Sequence, residues 1–504
     1  MEWNKEDYFC NDLTTSPKPE VGKILVTGGT GYIGGRLVPE LHNRGYKLRV
    51  MVRGDADLYH ERWPYAEVVS ADALNYDSLM IALEGVDIAF YLIHSLLLGL
   101  KHFDTADVKA ATNFSRAAEN QKVKRIIYIG GLGDEKTELS MHLKSRLTVA
   151  DVLKKGMVPT TFLRAAIIIG SGSASYEIIE HLVRNCPVIF VPRWAKTRCQ
   201  PIAIRDVIKY LVGCLETPDT VDKVFDIGGH DVLTYEIMLK TISDIYKINR
   251  PFIPVPISNV KLYSYLASLL TPVQAPIVYC LMESIHCDVV CRNSDINNYI
   301  PFEPISYKEA LVRALSRGER DKVATRWTDS YPPAHELAIT MNELTEPTKH
   351  RGSYSILSDQ KANTLFQSVC MVGGEKGWFN SNLLWRIRGW FDRILLGVGT
   401  SRGRRSSNQL RINDVIDFWR VEDMEQDRRL LLRAEMKLPG LAWMEYIIEP
   451  IGTKNRLTVN AYFQTSNFWG DLYWYTFLPF HVFIFQDLVK QIEKRSWSEQ
   501  RDQT

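Results

Sequence analysis

The most constraining feature of this 504-residue sequence is a short apolar run, Lys23-Ile-Leu-Val-Thr27, that passes directly into Gly28-Gly-Thr-Gly-Tyr-Ile-Gly34. A helix-like stretch follows from Tyr32 to Arg44 and is closed by Gly45. In a strand, loop, helix context the glycines at 28, 31 and 34 have distinct tasks. The first permits a tight turn, the second lets backbone N–H groups approach a pyrophosphate, and the third allows the helix to pack closely on the strand. The helix N-terminus adds the positive end of its dipole. A glycine-rich turn without ligand is the plainer alternative, but the surrounding strand and helix favour dinucleotide binding.

Beyond the loop, apolar strands at Lys47 to Arg53, Val68 to Ala71, Asp87 to His94 and Arg125 to Ile129 alternate with helix-like segments at Tyr76 to Leu83 and Asp104 to Gln121. A helix at Ser140 to Lys155 and a strand at Thr160 to Ile169 continue the pattern. This spacing predicts an α/β fold, a doubly wound parallel sheet covered by helices on both faces. The alternation stops near residue 325. Val415 to Val421, Leu430 to Leu438, Ala442 to Ile448 and Arg456 to Thr465 then read as successive strands, and Leu472 to Glu493 as a long closing helix that kinks or starts at Pro479. The chain therefore divides into a tail over 1–20, a dinucleotide-binding domain over 21–325, a linker over 326–352 carrying Pro332, Pro333 and Pro347, an α+β domain over 353–496 with a largely antiparallel sheet, and a tail over 497–504.

Several function classes lose support on composition. Sixty-one Lys plus Arg against 59 Asp plus Glu leave a charge of +2, so no global field favours a nucleic-acid partner. Eight cysteines without C-x-x-C spacing argue against a disulfide framework, and His286, Cys287 and Cys291 read as ordinary side chains rather than a metal site. No basic start followed by an apolar core opens the chain, so a cytoplasmic compartment is expected, with membrane association as the alternative. The 21 uncharged residues between Lys261 and Glu283 are broken by Pro272 and Pro276 and predict a pair of buried helices rather than a span. The 15 between Asp471 and Asp487 are too few to span and predict a buried or interfacial helix. No Ser-His-Asp signature, H-E-x-x-H or P-loop is present.

The second strand ends in Arg53, and the first acid nearby, Asp55, lies beyond Gly54. A cation there suits a 2′-phosphate, so NADP(H) is expected ahead of NAD(H), with an exposed strand-end cation as the alternative. Asp72, ending the third strand, is placed to accept from an adenine amino group. Thr27-Gly-Gly-Thr-Gly-Tyr-Ile-Gly34, Arg53, Asp72 and Tyr91-Leu-Ile-His94 together resemble the atypical short-chain dehydrogenase/reductase superfamily in its NmrA-like, NAD(P)H-binding branch. Leu163-Arg-Ala-Ala166, Gln200-Pro-Ile-Ala-Ile-Arg-Asp206 and Arg433-Ala-Glu-Met-Lys-Leu-Pro-Gly440 belong to the same likeness. The resemblance implies a Rossmann fold and a cofactor set of Gly28, Thr30, Gly31, Tyr32, Ile33, Gly34, Arg53, Asp72, Ala73, Ile93 and Gly130. It supplies no substrate.

Short-chain reductases use a Tyr and a Lys four residues later on one helix, with Ser or Thr at the preceding strand end. Here the strand ends Tyr128-Ile-Gly-Gly-Leu-Gly133 and the helical i, i+4 pair is His142 and Arg146. In one reading His142 is the proton donor and Arg146 orients a substrate oxygen or the nicotinamide ribose. In another the domain has lost hydride chemistry and only binds NADP(H), as a sensor or scaffold; an ordinary polar helix face is the plainest reading. His94, at a strand's carboxyl end, is a further candidate. The loop Gly170 to Ser175 suits a close pass by the nicotinamide. Pro192-Arg193-Trp194 and Arg205-Asp206 are expected on the substrate side, the last two alternatively as a structural ion pair.

The strands and closing helix of the second domain resemble a START-like or helix-grip fold, which implies an apolar ligand held between sheet and helix. Trp378, Phe379, Trp385, Trp390, Phe391, Trp419 and Trp443 read as core first and cavity lining second. Residues 386–411 hold seven arginines and one acid, Asp392, and their Ser401-Arg-Gly-Arg-Arg405 cluster reads as a solvated loop, with anionic lipid or another acidic partner as the alternative. The expectation is an oxidoreductase using NADP(H), or NAD(H), on a carbonyl or quinone-like apolar substrate, with a peripheral membrane contact as a further partner. The competing expectation is a non-enzymatic redox sensor or scaffold whose C-terminal domain binds a lipid or other ligand.

Overall fold

The computed structural model describes residues 8–94, 103–133, 140–256, 259–293, 295–316, 325–330, 339–374, 377–378, 382–399, 402, 404–406 and 409–502. Phe379, Pro332 and Pro333, singled out above, lie outside the described residues, as do 1–7 and 503–504 of the expected tails. The chain divides into two compact units, Met1–Pro332 and Pro333–Thr504.

In the first unit, β1 (Lys23–Val26), β2 (Lys47–Val52), β3 (Glu67–Ser70), β4 (Ile88–Tyr91), β5 (Arg125–Gly131), β6 (Thr160–Ala165) and β7 (Val224–Ile227) form one sheet in the order β3-β2-β1-β4-β5-β6-β7. Every neighbouring pair is parallel. Because successive strand side chains point to opposite faces, each strand feeds two cores. Ile24, Val26, Val50 and Phe90 meet Leu37 and Leu41 of α1 (Gly34–Asn43) and Val207 and Leu211 of a helix at Ile204–Glu216. Leu25, Met51, Ala89 and Tyr91 meet Ala110 and Phe114 of a helix at Phe103–Asn120 and Val149 and Leu153 of one at Met141–Lys155. Each such Val, Leu, Ile, Phe or Met side chain contributes about 1.5–3 kcal/mol on burial. The strand order reverses between β1 and β4, and the crevice at their carboxyl ends is where this architecture places a ligand.

Residues 8–20 are not a tail. Cys10 and Leu13 are buried, the N–H groups of Phe9 and Cys10 donate to the Glu40 carboxylate on α1, and Arg44 donates to the Cys10 carbonyl at 3.0 Å. Burial pushes the Glu40 carboxyl up to about 7 despite these donors. The stretch after Lys261 forms two helices, Val260–Leu270 and Ala275–Glu283, with Pro276 in the first turn of the second. Ser264, Ala267, Ile277 and Val278 are buried, whereas Leu262, Leu266 and Leu270 are exposed. Among the described residues no helix is long and apolar enough to cross a membrane.

In the second unit, β8 (His350–Ser358), β9 (Val415–Ile416), β10 (Trp419–Glu425), β11 (Arg429–Ala434), β12 (Leu441–Ile451) and β13 (Lys454–Gln464) form an antiparallel sheet in the order β8-β13-β12-β11-β10-β9. The linker expected through residue 352 thus ends inside β8. The strand expected over 415–421 is broken at Asp417, whose φ of 55° turns the chain while its carboxylate accepts from Trp378 Nε1 at 2.8 Å. One sheet face packs on a helix at Ala362–Cys370 and on the closing helix Phe468–Asp502 through Phe366, Val369, Phe485, Leu488 and Ile492. The closing helix starts before Pro479 and continues past it, contrary to a start there.

The expected solvated arginine loop is largely interior. Arg402 and Arg420 both donate to Glu435, Arg405 makes a bidentate pair with Asp414 at 2.8 Å, and Arg404 donates to the carbonyls of Cys370 and Val372. A buried guanidinium persists only where acceptors converge on it, and residues distant in sequence supply them. Trp378, Trp385, Trp419 and Trp443 are core side chains, whereas Trp390 and Phe391 are exposed.

Candidate functional site

At the end of β1 the Thr27 hydroxyl donates to the Phe90 carbonyl at 3.0 Å and accepts from the Leu92 N–H at 2.9 Å. This clamps β1 to β4 where the chain must leave the sheet. Gly28 follows with φ +62°, and its carbonyl accepts the Gly31 N–H at 2.9 Å. A Cβ on Gly28 would lie 2.9 Å from the Leu92 carbonyl oxygen, and one on Gly34 only 2.3 Å from the Gly28 oxygen. Gly28 is required by contact and by conformation, Gly34 by contact alone. The N–H groups of Thr30 and Ile33, at the amino end of α1, have no acceptor among the described residues. Open amides at a helix N-terminus beside a glycine cradle fit the anionic diphosphate of a dinucleotide.

Arg36 secures this loop from beneath. Its buried guanidinium donates to the carbonyls of Tyr32, Thr325 and Ser171, each at 2.9 Å. The Thr325 hydroxyl donates back to the Tyr32 carbonyl at 3.0 Å, and Trp327 Nε1 donates to Glu177 at 2.9 Å. Residues 325–330, expected at the domain boundary, therefore lace the glycine loop to the loop Gly170–Ser175. Within that loop Ser173 caps the helix Ala174–Asn185.

Arg53 stands just past β2 with its Nε 3.9 Å from Asp72 Oδ1, which accepts the Leu74 N–H at 2.9 Å. Arg53 makes no shorter contact among the described residues, so its donors are open to a phosphate. Ala73 is buried and its carbonyl accepts from Asn113 at 3.2 Å; Ile93 packs on the core beside it. A Cβ on Gly130 would press on the Tyr128 ring at 3.0 Å, and one on Gly131 would lie 2.7 Å from Leu143 Cδ2. Glycine where a Ser or Thr is usual thus lets the first turn of the Met141–Lys155 helix sit close to β5.

The polar groups at the ends of β4 and β5 form one cluster. His94 Nδ1 lies 3.1 Å from Asp107 Oδ2, which also accepts from the Ser145 hydroxyl at 3.2 Å. The His94 and His142 ring centroids are 4.9 Å apart. His94 Nε2 and His142 Nδ1 are buried without a partner among the described residues. Desolvation lowers the His94 pKa, helped by Arg146 and opposed by Asp107. Desolvation lowers that of His142 further, with His94 and Arg146 adding to the effect, so both rings are neutral at pH 7. Arg146 donates to the Ile129 carbonyl and lies 5.4 Å from the Tyr128 ring, whose hydroxyl donates to the Arg146 carbonyl at 3.2 Å. It is held against the strand as a fixed positive charge.

Other expected residues stand apart. Arg205 pairs with Asp12 at 3.6 Å, and buried Asp206 accepts the Ile305 N–H at 3.0 Å, its carboxyl pushed by burial up to about 6. Arg205 Nε also lies 3.9 Å from Asp206 Oδ1, the structural ion pair that is the alternative for these two. Pro192 is buried; Arg193 is exposed and Trp194 packs edge-on to Tyr263 at 5.5 Å. Sequence reading missed Asp107 and Ser145. Asp107 shares the spacing of buried Ala110, Ala111 and Phe114, and a carboxylate on an apolar helical stripe was the available signal.

Residues 28–181 match a family described as NAD(P)H-binding, and residues 345–488 match a family described as a protein of unknown function, DUF2867. The divinyl chlorophyllide a 8-vinyl-reductase of Cucumis sativus is 22% identical over 227 residues, covering 42% of this chain and 54% of the relative. The ceramide reductase of Caulobacter vibrioides is 26% identical over 204 residues, covering 39% and 62%. The chain spans about half to two thirds of the length of these relatives. Among solved structures, a triphenylmethane reductase of Citrobacter sp. is 18% identical with a TM-score of 0.48, covering 58% of this chain and all of that one. The first unit thus carries an NAD(P)H-binding domain with a Rossmann-type parallel sheet, and NAD(P)(H) is the cofactor of this chain.

Proposed function

We propose that this protein is an NADP(H)-dependent oxidoreductase that reduces a carbonyl or quinone-like group on an apolar substrate, with His142 serving the substrate oxygen. The carrying observation is the pair of partly buried, neutral imidazoles, one pinned by Asp107, at the carboxyl ends of β4 and β5. When bound, the cofactor supplies the hydride. Asp107 accepts the Nδ1–H of His94, which fixes that ring's tautomer and position. His142 stands in the first turn of its helix, where the dipole and the nearby Arg146 disfavour the imidazolium. A neutral ring there donates an N–H to an oxygen that gains negative charge, while its second nitrogen takes up a proton from water as the first gives one. Arg53 supports NADP(H) over NAD(H). The relatives named for divinyl chlorophyllide and ceramide support a lipophilic substrate.

For the second unit, the order strand, two helices, five antiparallel strands and closing helix supports a START-like helix-grip assignment. One observation favours the competing reading, a redox sensor or scaffold: Arg146 is tied to Ile129 and no hydroxyl stands at Gly130 or Gly131. NADPH consumption with a panel of lipophilic quinones, aldehydes and ketones separates the two. Turnover with any of them supports the reductase; tight NADPH binding with no turnover across the panel overturns it in favour of the sensor.

A further inference from the structure

The closing helix of the second unit is apolar on two opposite sides over its first half. Trp474 and Phe485 face the sheet, with Trp474 stacked on His350 at 5.3 Å and on Phe463 at 5.8 Å. At helical spacing Trp469, Leu472, Phe480 and Phe483 fall on the far side, and they are 69%, 45%, 51% and 62% exposed. A helix apolar all round calls for a second partner.

A shorter helix at Asn382–Ile394 is amphipathic in the inverted sense. Trp385, Gly389 and Asp392 are buried, while Leu383, Ile387, Trp390 and Phe391 form the exposed stripe. Arg386 and Arg388 flank that stripe on either side. One loop joins the two helices at the same edge of the unit: Arg388 donates to the Lys437 carbonyl at 2.8 Å, Lys437 Nζ to the Leu395 carbonyl at 2.7 Å, and a Cβ on Gly470 would lie 2.7 Å from the Pro439 carbonyl. Both helices therefore reach the same loop, residues 437–439.

The geometry points to a docking surface for an anionic lipid bilayer, with the outer faces of the Asn382–Ile394 helix and the Phe468–Phe485 segment inserted at headgroup depth. Charge decides between lipid and a second copy of the chain. Neither face carries an exposed carboxylate among the described residues: Asp392 is buried and accepts the Gly399 N–H, and Asp471 is held by Lys349 and His350. Arg388 is already paired with Asp392 at 3.7 Å, but a self-paired interface would bring Arg386 near its own copy with no carboxylate on either face to neutralise it, whereas lipid phosphates supply that partner. Trp and Phe beside arginine are the side chains that favour the interfacial layer, and no described helix is suited to span it. This surface does not depend on the reductase reading.

Flotation of the full chain with phosphatidylcholine vesicles, with and without phosphatidylglycerol, tests it. The wild type should float with the anionic vesicles, less with the neutral ones, and less at high salt. Trp390→Ser and Phe480→Ser should each lower the partition about tenfold, and Arg386→Glu should do so on anionic vesicles alone. All three positions project outward, so melting temperature stays as in the wild type. A wild type that floats with neither vesicle overturns the inference, as do variants that float undiminished. Lipid-free dimers that Trp390→Ser dissociates would assign the face to a second copy and also overturn it.

Discussion

Asp107 binds His94 through its Nδ1 at 3.1 Å while receiving the Ser145 hydroxyl at 3.2 Å on the same oxygen, so one buried carboxylate joins the end of β4 to two helices. It positions a ring without touching substrate. Asp107→Asn should lower kcat by about one to two powers of ten with cofactor affinity retained. Burial and Arg146 already depress the His94 pKa and Asp107 alone raises it, so the variant's pKa falls further and any acid limb due to His94 moves to lower pH. A kcat–pH profile of both proteins checks this.

Among the described residues Arg53 has no hydrogen bond or ion pair closer than its 3.9 Å approach to Asp72. Arg53→Ala should weaken NADPH by about ten- to a hundredfold, the worth of a charge-assisted contact of about 1.5–3 kcal/mol, and leave NADH nearly unchanged. Fluorescence titration of both cofactors reads the difference.

Gly34→Ala sets a methyl group 2.3 Å from the Gly28 carbonyl oxygen, a backbone atom that cannot swing aside. The expected outcome is a loss of about 1–3 kcal/mol in stability together with weakened binding of both cofactors, seen by thermal melting and titration.

Burial alone would raise the Glu435 carboxyl, yet Arg420 and Arg402 hold it down to about 2. A folded value below the ordinary 4.5 means that this stabilisation is complete above pH 4.5 and is lost as pH falls through about 2. Glu435→Gln should destabilise the protein by about 3–5 kcal/mol at neutral pH, because two guanidinium groups stay buried, and should flatten the acid limb of stability. Denaturant melts across this pH range measure both effects.

The parallel sheet was legible because its strands are buried on both faces and read as apolar runs, and the glycine loop because Gly28 and Gly34 meet backbone that no side chain would clear. The N-terminal segment was not: Cys10 owes its burial to Glu40, a partner 30 residues away. The arginines after Leu396 were misread for the same reason, since Glu435, Asp414 and the Cys370 carbonyl converge on them only in three dimensions. His94, His142 and Arg146 were singled out from their places at strand and helix ends, but Asp107, which organises them, sat inside a helix pattern where an acid passes for a surface residue.

The most direct test of the account compares NADPH affinity and single-turnover oxidation in the wild type and His142→Phe, using whichever lipophilic carbonyl or quinone the wild type reduces. The account predicts affinities within about twofold of each other and a rate lower by about two to four powers of ten in the variant. An unchanged rate in His142→Phe, or a wild type that binds no NADPH, would contradict it.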